Sequence, residues 1–588
     1  MSAIYPRDLQ FCAFPSRRSV VHSTKGIVSC SQTLAAAAGQ RILNEGGNAA
    51  DAAVAVAAAL NMTEPCSTGI GGDMFCLYYD AKTRKVHALN GSGRSPKDIS
   101  LEQVRSDLGL SSDDTTSHIP TTNAHAITVP GAAAGWVDTI AKFGSGKMSL
   151  EQVLQPAIEL GEEGFPVGEL TAASWARSEH LIRKASPNFR EMLKKDPQAV
   201  DGVRAPRAGE LMFNPTLAQT FRTVGREGKK GFYEGRIAQE IVNVVQAAGG
   251  KLSLDDLKHH SEEGSQEVDP ISLVFDPNLF GGKSFPKGPL QLWEHPPNGQ
   301  GIVALIALGV LQELAREGKI AFTPEDHNSV AYLHALIQSL RIAFADARWW
   351  VTDPDVEKVP VKELISQAYL AERGKLFDPN SAGDIIHHGS PAHNHSDTVY
   401  FAVTDKEGNG ISFIISNYEG FGTCIIPEGC GFTLQNRGAN FSLAKGHPNA
   451  IAPRKRPYHT IIPGLVTDPQ DQSLHSVFGV MGGFMQPQGH VQVLLNQALF
   501  GYSPQEALDS PRFCIAADDD DIVYLEEGLS KEVVEGLRKL GHNVKVLTGL
   551  RRGMFGKGQI IRSRKEEGRF IYSAGSDQRG DGAALPAF

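Results

Sequence analysis

Thr398 opens a β-rich run that extends to Val403, and a second such run, Ile411 to Ser416, follows after Asp405-Lys-Glu-Gly-Asn409. The intervening stretch has the composition of a hairpin turn. Val399, Phe401 and Val403 alternate on one face, as Ile411, Phe413 and Ile415 do on the return, and only an even register keeps the two faces together. A five-residue loop then pairs Thr404 with Gly410. Counting back from there sets Ser416 opposite Thr398, within reach of cross-strand contact. Two hydroxyls therefore meet at a strand end. A threonine hydroxyl is a weak nucleophile at its ordinary pKa and needs a base within hydrogen-bond reach to attack a carbonyl. Downstream, Gly482-Gly483 reads by itself as a tight turn between strands. By residue type alone Thr398 is an ordinary strand threonine; its surroundings have to decide.

The elements that position these residues are legible in outline. Thr33 to Asn44 and Asn48 to Leu60 read as Ala-rich helices separated by Gly46-Gly47, a C-terminal stop for the first. Cys76 to Tyr79 and Val86 to Leu89 read as short strands around a polar turn, and the region from Leu150 to about Lys375 is richer in helical periodicity, as in Val330 to Ala345. Ala49 to Leu60 is too short for a bilayer and is interrupted by Asp51, so it reads as a buried helix. The 588 residues are 41% hydrophobic and 21% charged, an ordinary globular composition. The 61 glycines and the lack of a Pro/Ser linker point to one interlocked unit rather than separate modules. A net charge of -9 disfavours a nucleic-acid surface, which leaves a small molecule as the expected partner, without nucleic acid or membrane. Seven cysteines without a CxxC spacing give little support to a disulfide framework or a zinc site. Residues 1–23 hold three arginines but no apolar core of a signal peptide, so the expectation is a cytoplasmic protein.

The sequence around the hydroxyl pair is His395-Ser-Asp-Thr398, then Phe421-Gly-Thr423, Gly431 to Phe441, Lys455-Arg-Pro-Tyr-His-Thr460 and Gly479-Val-Met-Gly-Gly483. This series resembles the small-subunit half of the γ-glutamyltransferases, also called γ-glutamyltranspeptidases or glutathione hydrolases. Upstream the resemblance runs through Asn44 to Ala53, Gly69-Ile-Gly-Gly-Asp73, Val129-Pro-Gly131 and Pro296-Pro-Asn-Gly-Gln-Gly301; downstream it ends at Ser510-Pro-Arg-Phe513 and Ser576-Asp-Gln-Arg579. It implies an α+β fold, the αββα four-layer sandwich of the Ntn-hydrolases (N-terminal-nucleophile hydrolases). It also implies an inactive precursor that cuts itself between Asp397 and Thr398 into a large fragment, 1–397, and a small catalytic fragment, 398–588. Cleavage supplies the missing base, because the freed α-amino group, of reference pKa about 7.7–8.0, sits on the same residue as the hydroxyl. The implied activity is transfer of an acyl group, from the γ-glutamyl amide of glutathione or a related compound, through an acyl-enzyme to water or an amine acceptor. No cofactor or metal ion is called for. In the family Gly482 and Gly483 would be the oxyanion donors, and Ser416 stands where a threonine orients the new amino group.

The acyl pocket departs from the family pattern. There an Arg and two serines hold the α-carboxylate of the glutamyl group, and an Asp holds its α-amino group. In this chain Ser92 falls at the Arg position with Arg94 two residues on, His459-Thr460 replace the serines, and Asn440 replaces the Asp. Arg437 stands at a neutral or acidic contact and Tyr418 at a family Asn. With an acid lost and cations gained, the pocket is expected to favour an anionic acyl group over a zwitterionic one. This is similar to a divergent branch that includes glutaryl-acylase-like and oxamate-amidohydrolase-like enzymes. A relative that binds without catalysis is the alternative from outside enzymology. The histidines His387, His388, His393 and His395 lack metal-ligand spacing and read as a linker. The run Asp518 to Asp521 reads as a solvated loop.

Overall fold

In the computed structural model, which describes residues 18–111, 114, 116–281, 288–383, 398–516 and 522–588, the hairpin forms in the register its alternation predicts. Strands Val399–Asp405 and Gly410–Ser416 are antiparallel, with Phe401 opposite Phe413 and Thr404 opposite Gly410. Asp405 closes the loop: its Oδ1 accepts from the N–H groups of Glu407 and Asn409, and its Oδ2 from the Asn409 side-chain amide. Val399, Phe401, Val403, Ile411, Phe413 and Ile415 pack into a helical layer. Tyr400, Ala402 and Ile414 point the other way, into the core shared with a second sheet. Burial of both faces explains why the two runs are so apolar.

The hairpin is the centre of a seven-stranded sheet, in the order Ala583–Pro586, Gly26–Cys30, Val399–Asp405, Gly410–Ser416, Asp73–Asp80, Lys85–Gly91 and Gln266–Val268. The second seven-stranded sheet runs Val21–Ser23, Arg569–Ser576, Gly558–Glu566, Leu474–Val480, Gly464–Thr467, Leu290–Glu294 and Ile271–Phe275. Each sheet thus combines strands from before and after Thr398. The sheets stack through Phe75, Leu77 and Tyr400 on one side and Leu465, Val477 and Ile561 on the other. A Cβ at Gly479 would lie 2.5 Å from the Tyr400 ring, so close stacking at the end of Leu474–Val480 requires glycine there.

Helices Thr33–Asn44 and Ala49–Thr63 cover the first sheet. The first ends where its glycines predict, with Gly46 at φ +100°. Asn48 caps the second: its side chain accepts from the N–H groups of Ala50 and Asp51, and Asp51 accepts from Asn48 N–H. Small side chains let the helices approach until a Cβ at Gly39 would stand 2.5 Å from Val56. Helices Gly301–Arg316, Val330–Trp350 and Met485–Ala498 cover the second sheet. The layers are α, β, β, α. The strands expected at Cys76 to Tyr79 and Val86 to Leu89 run longer, Asp73–Asp80 and Lys85–Gly91, because polar Asp73 and Asn90 continue the ladder within the buried interior. Among the described residues no helix is long and apolar enough to cross a membrane, and the six cysteines there are buried and form no disulfide with one another.

Candidate active site

One step beyond the pair Val399–Ile415 the register brings Thr398 to Ser416, and their hydroxyl oxygens stand 3.0 Å apart. Both residues are fully buried. Ser416 Oγ also accepts from the N–H of Tyr418 at 2.8 Å, which fixes its position. The chain then leaves the sheet through a segment of unusual backbone: Tyr418, Phe421 and Cys424 have φ of +79°, +57° and +62°. Non-glycine residues in this region cost energy and persist only where the surrounding structure holds them. Here the hold includes the Arg437 guanidinium, whose carbon lies 4.5 Å from the centroid of the Tyr418 ring.

Arg437 and Asn440 share one short turn, Arg437–Asn440. Arg437 is fully buried and donates through Nη1 to Thr460 Oγ1 at 2.6 Å. Its Nη2 and Nε, and both polar atoms of the Asn440 amide, are buried without a hydrogen-bond partner among the described residues. Burial lowers the guanidinium to about 10, which leaves it cationic at neutral pH. Tyr418, Arg437 and Thr460 are thus brought together beside the hydroxyl pair, with Asn440 on the Arg437 turn.

His459 is spent on the scaffold. Its Nδ1 accepts from the N–H of Ile461, so the proton is on Nε2, which donates to Asp73 Oδ2 at 3.0 Å. Burial, together with Arg437 and His295, pushes the imidazole well below its ordinary range and keeps it neutral. Asp73 Oδ1 accepts from the N–H groups of Gly93 and Gly131 and from Gln435 Nε2. Arg94 stands apart from the Arg437 group. It donates to Asp355 Oδ2 at 3.1 Å, an oxygen it shares with Arg456 at 2.8 Å, while its Nη1 is buried and unpaired.

Gly482 and Gly483 lie between the end of Leu474–Val480 and the start of Met485–Ala498, at φ +125° and +57°. Their carbonyls accept from Met485 and Gln486, and no hydrogen bond from their own N–H groups forms among the described residues. Two free donors at the start of a helix suit an oxyanion. Gln300 ties them to the Arg437 group, since its Nε2 donates to Gly483 O at 2.9 Å and to Thr460 O at 2.6 Å. Gln300, Gln435 and Asp73 have no assigned role in the sequence analysis, although all three lie inside its motifs. On the other side the glycines border a cavity of about 910 Å³. Among the described residues no group of three or more His, Cys, Asp or Glu is placed to hold a metal ion. Asp397, His387, His388, His393, His395 and the run from Asp518 to Asp521 lie outside the described residues.

A hydroxyl pair at the head of a central strand, in an αββα sandwich, defines the Ntn-hydrolase class. The family model described as Gamma-glutamyltranspeptidase matches residues 35–587, and the chain belongs to that family. It is 32% identical to the glutathione hydrolase-like YwrD proenzyme of Bacillus subtilis, over 97% of this chain and 99% of the relative. It is 30% identical to the oxamate amidohydrolase proenzyme of Klebsiella pneumoniae, over 96% and 98%. Among solved structures it is similar to a cephalosporin acylase from Bacillus halodurans, with 36% identity, TM-score 0.84 and 99% coverage of both chains. The chain is therefore an amidohydrolase-family enzyme whose relatives are named as proenzymes.

Proposed function

We propose that this enzyme cuts itself before Thr398 and then hydrolyses amides whose acyl group carries a carboxylate but no α-ammonium. In maturation the Thr398 hydroxyl attacks the Asp397 carbonyl, the C–N bond breaks as the ester forms and the α-amino group of Thr398 is freed with a proton, and water then hydrolyses the ester to release the large fragment with an Asp397 carboxylate and restore the hydroxyl. That amine takes the hydroxyl proton as Oγ1 attacks the substrate carbonyl, with Ser416 orienting both groups. The N–H groups of Gly482 and Gly483 receive the oxyanion, the leaving amine departs with a proton, and water hydrolyses the acyl ester.

The observation that carries the acyl preference is the buried Arg437, with Nη2 and Nε unpaired and Thr460 fixing its Nη1. A carboxylate satisfies these donors with charge-assisted hydrogen bonds. A γ-glutamyl group, as in glutathione, brings the same carboxylate but adds an ammonium that finds an uncharged amide at Asn440. The names of the relatives span both readings.

Intact mass of wild type beside Thr398→Ala tests maturation: fragments of 397 and 191 residues are expected in wild type alone. One uncut but active wild-type chain would overturn the mechanism. For the acyl group, a glutaryl anilide and the γ-glutamyl anilide differing only in the α-amino group are compared, with kcat/KM at least about tenfold higher expected for the glutaryl compound. The reverse order would return the enzyme to glutathione-type donors.

A further inference from the structure

Gln300 is fully buried, and both polar atoms of its amide are engaged. Nε2 donates to Thr460 O at 2.6 Å and to Gly483 O at 2.9 Å, while Oε1 accepts from the Tyr458 hydroxyl at 3.0 Å. A glutamine amide carries two N–H donors, so the two carbonyls use both. Because carbonyls only accept, they also decide which way the amide faces. The backbone fixes the stem: Gln300 N–H donates to His459 O at 3.0 Å, and His459 N–H donates to Asn298 O at 2.9 Å. Tyr458 closes the group, since its ring stacks on that of Phe484 with centroids 5.8 Å apart, and the Phe484 nitrogen belongs to the same peptide unit as the Gly483 carbonyl. One side chain thus bridges the two candidate oxyanion donors and the segment that meets Arg437.

The two ends of this bridge differ in kind. At one end Thr460 accepts from Arg437 Nη1 on its Oγ1 at 2.6 Å and from Gln300 on its carbonyl, so guanidinium and amide act on a single residue. At the other end Gly482 and Gly483 lie at positive φ, where glycine is free to rotate. Gly483 O accepts from Gln486 N–H at 3.2 Å and from Gln300 at the shorter 2.9 Å, and these donors restrain the rotation that would turn the glycine N–H groups away from an oxyanion. A carboxylate seated on Nη2 and Nε of Arg437, which are buried without a partner among the described residues, leaves Nη1 on Thr460 and holds the guanidinium in one plane. Thr460 is thereby immobilised, and through Gln300 so is Gly483. Binding energy from a remote part of the substrate then reaches the reacting carbonyl and is expressed in kcat. We propose that Gln300 is a positioning residue that couples the acyl pocket to the oxyanion donors, so that the acyl carboxylate speeds the chemical steps as well as strengthening binding. The coupling rests on the mechanism proposed above.

The test measures kcat and KM separately for glutaryl-p-nitroanilide and valeryl-p-nitroanilide, whose acyl chains are equal in length and end on a carboxylate or a methyl group. In wild type the glutaryl compound is expected to show the lower KM and a kcat at least about tenfold higher. Gln300→Met keeps the length of the side chain and removes its amide. In this variant kcat for the glutaryl compound is expected to fall by about 10²-fold. The kcat ratio of the two anilides is expected to come within about threefold of one, while their KM ratio stays within about threefold of wild type because Arg437 is untouched. Tyr458→Phe, which frees Gln300 Oε1 and keeps a ring on Phe484, replaces it if Gln300→Met does not fold or self-cleave, and is expected to lower the kcat ratio by at least about threefold with the KM ratio unchanged. A wild-type kcat ratio near one, or a kcat ratio that neither variant lowers, overturns the coupling, while hydrolysis of the glutaryl compound leaves the mechanism standing. Failure of a self-cleaved wild type to hydrolyse either anilide removes both.

Discussion

Thr398 and Ser416 answer each other at 3.0 Å, and Tyr418 N–H completes the Ser416 oxygen. Two residues further along, across the Tyr418 ring, Arg437 and Asn440 bury polar atoms that nothing among the described residues answers. Each unanswered buried donor or acceptor costs on the order of 1–3 kcal/mol. A ligand that pairs with such groups removes this cost. The comparison separates two kinds of site construction. The proposed nucleophile is held by the protein's own bonds, whereas the proposed acyl pocket keeps buried donors and acceptors open to a ligand.

The strongest way to break the first half is at the nucleophile. Thr398→Ala is expected to abolish self-cleavage and to lower turnover by at least about 10⁴-fold, because no other hydroxyl carries its own amine; gel analysis and an anilide assay read both. Thr398→Ser, which keeps hydroxyl and amine together, is expected to retain both at reduced rate. Cleavage in the alanine variant would move the nucleophile elsewhere.

The second half is sharpened by exchanging activity for stability. Arg437→Met is expected to lower kcat/KM for a glutaryl amide by about 10²-fold or more, since a buried carboxylate then meets no cation. The same change is expected to raise stability to urea by about 1–3 kcal/mol, by removing a buried charge with unpaired donors. Ser416→Ala predicts the opposite sign: it removes the Oγ that accepts from the Tyr418 N–H and meets the Thr398 hydroxyl, and lowers stability and activity together. If Arg437→Met also destabilised the fold, the guanidinium would be a scaffold group and the contrast would fail.

The hairpin half of this comparison was readable from the sequence. Its two strands alternate cleanly and its loop has one geometry compatible with that alternation, so Phe401 opposite Phe413 and the meeting of Thr398 with Ser416 follow by counting. The bounds of Thr33–Asn44 were readable because Gly46 ends it. The tethers of the acyl pocket were not. Asp73 reaches His459 across 386 residues, and Gln300 reaches Thr460 across 160; local spacing carries no trace of such bonds. Arg94 shows the same limit, because the carboxylate that claims its guanidinium, Asp355, lies 261 residues away.

Unanswered polar atoms also occur away from the pocket, and pH distinguishes them. His260 is buried with both ring nitrogens unpaired, and His295 is buried with Nε2 unpaired. Burial pushes His260 down to about 3 and His295 down to about 4. A folded pKa below the unfolded value of about 6.5 means that the unfolded chain takes up the proton first. The stability contribution is full above about pH 6.5 and is lost as pH falls toward the folded values, reaching about 2 kcal/mol for each ring at pH 5. Urea unfolding at pH 7.5 and 5.0 is expected to show a smaller loss in His260→Phe than in wild type. An equal loss in both would mean that His260 is charged inside the fold.

The smallest expected effect isolates a satisfied group far from the chemistry. Asn48 caps Ala49–Thr63, a helix whose every residue is buried, and its cap is reciprocated by Asp51. Asn48→Ala removes the side-chain acceptor for the N–H groups of Ala50 and Asp51, and is expected to cost about 1 kcal/mol in urea unfolding. It is expected to leave kcat/KM unchanged, because nothing in the acyl pocket or the hydroxyl pair bonds to it. Loss of activity without loss of stability would show that this helix transmits strain to the hairpin it covers, and the division between a self-satisfied scaffold and a ligand-completed pocket would have to be redrawn around it.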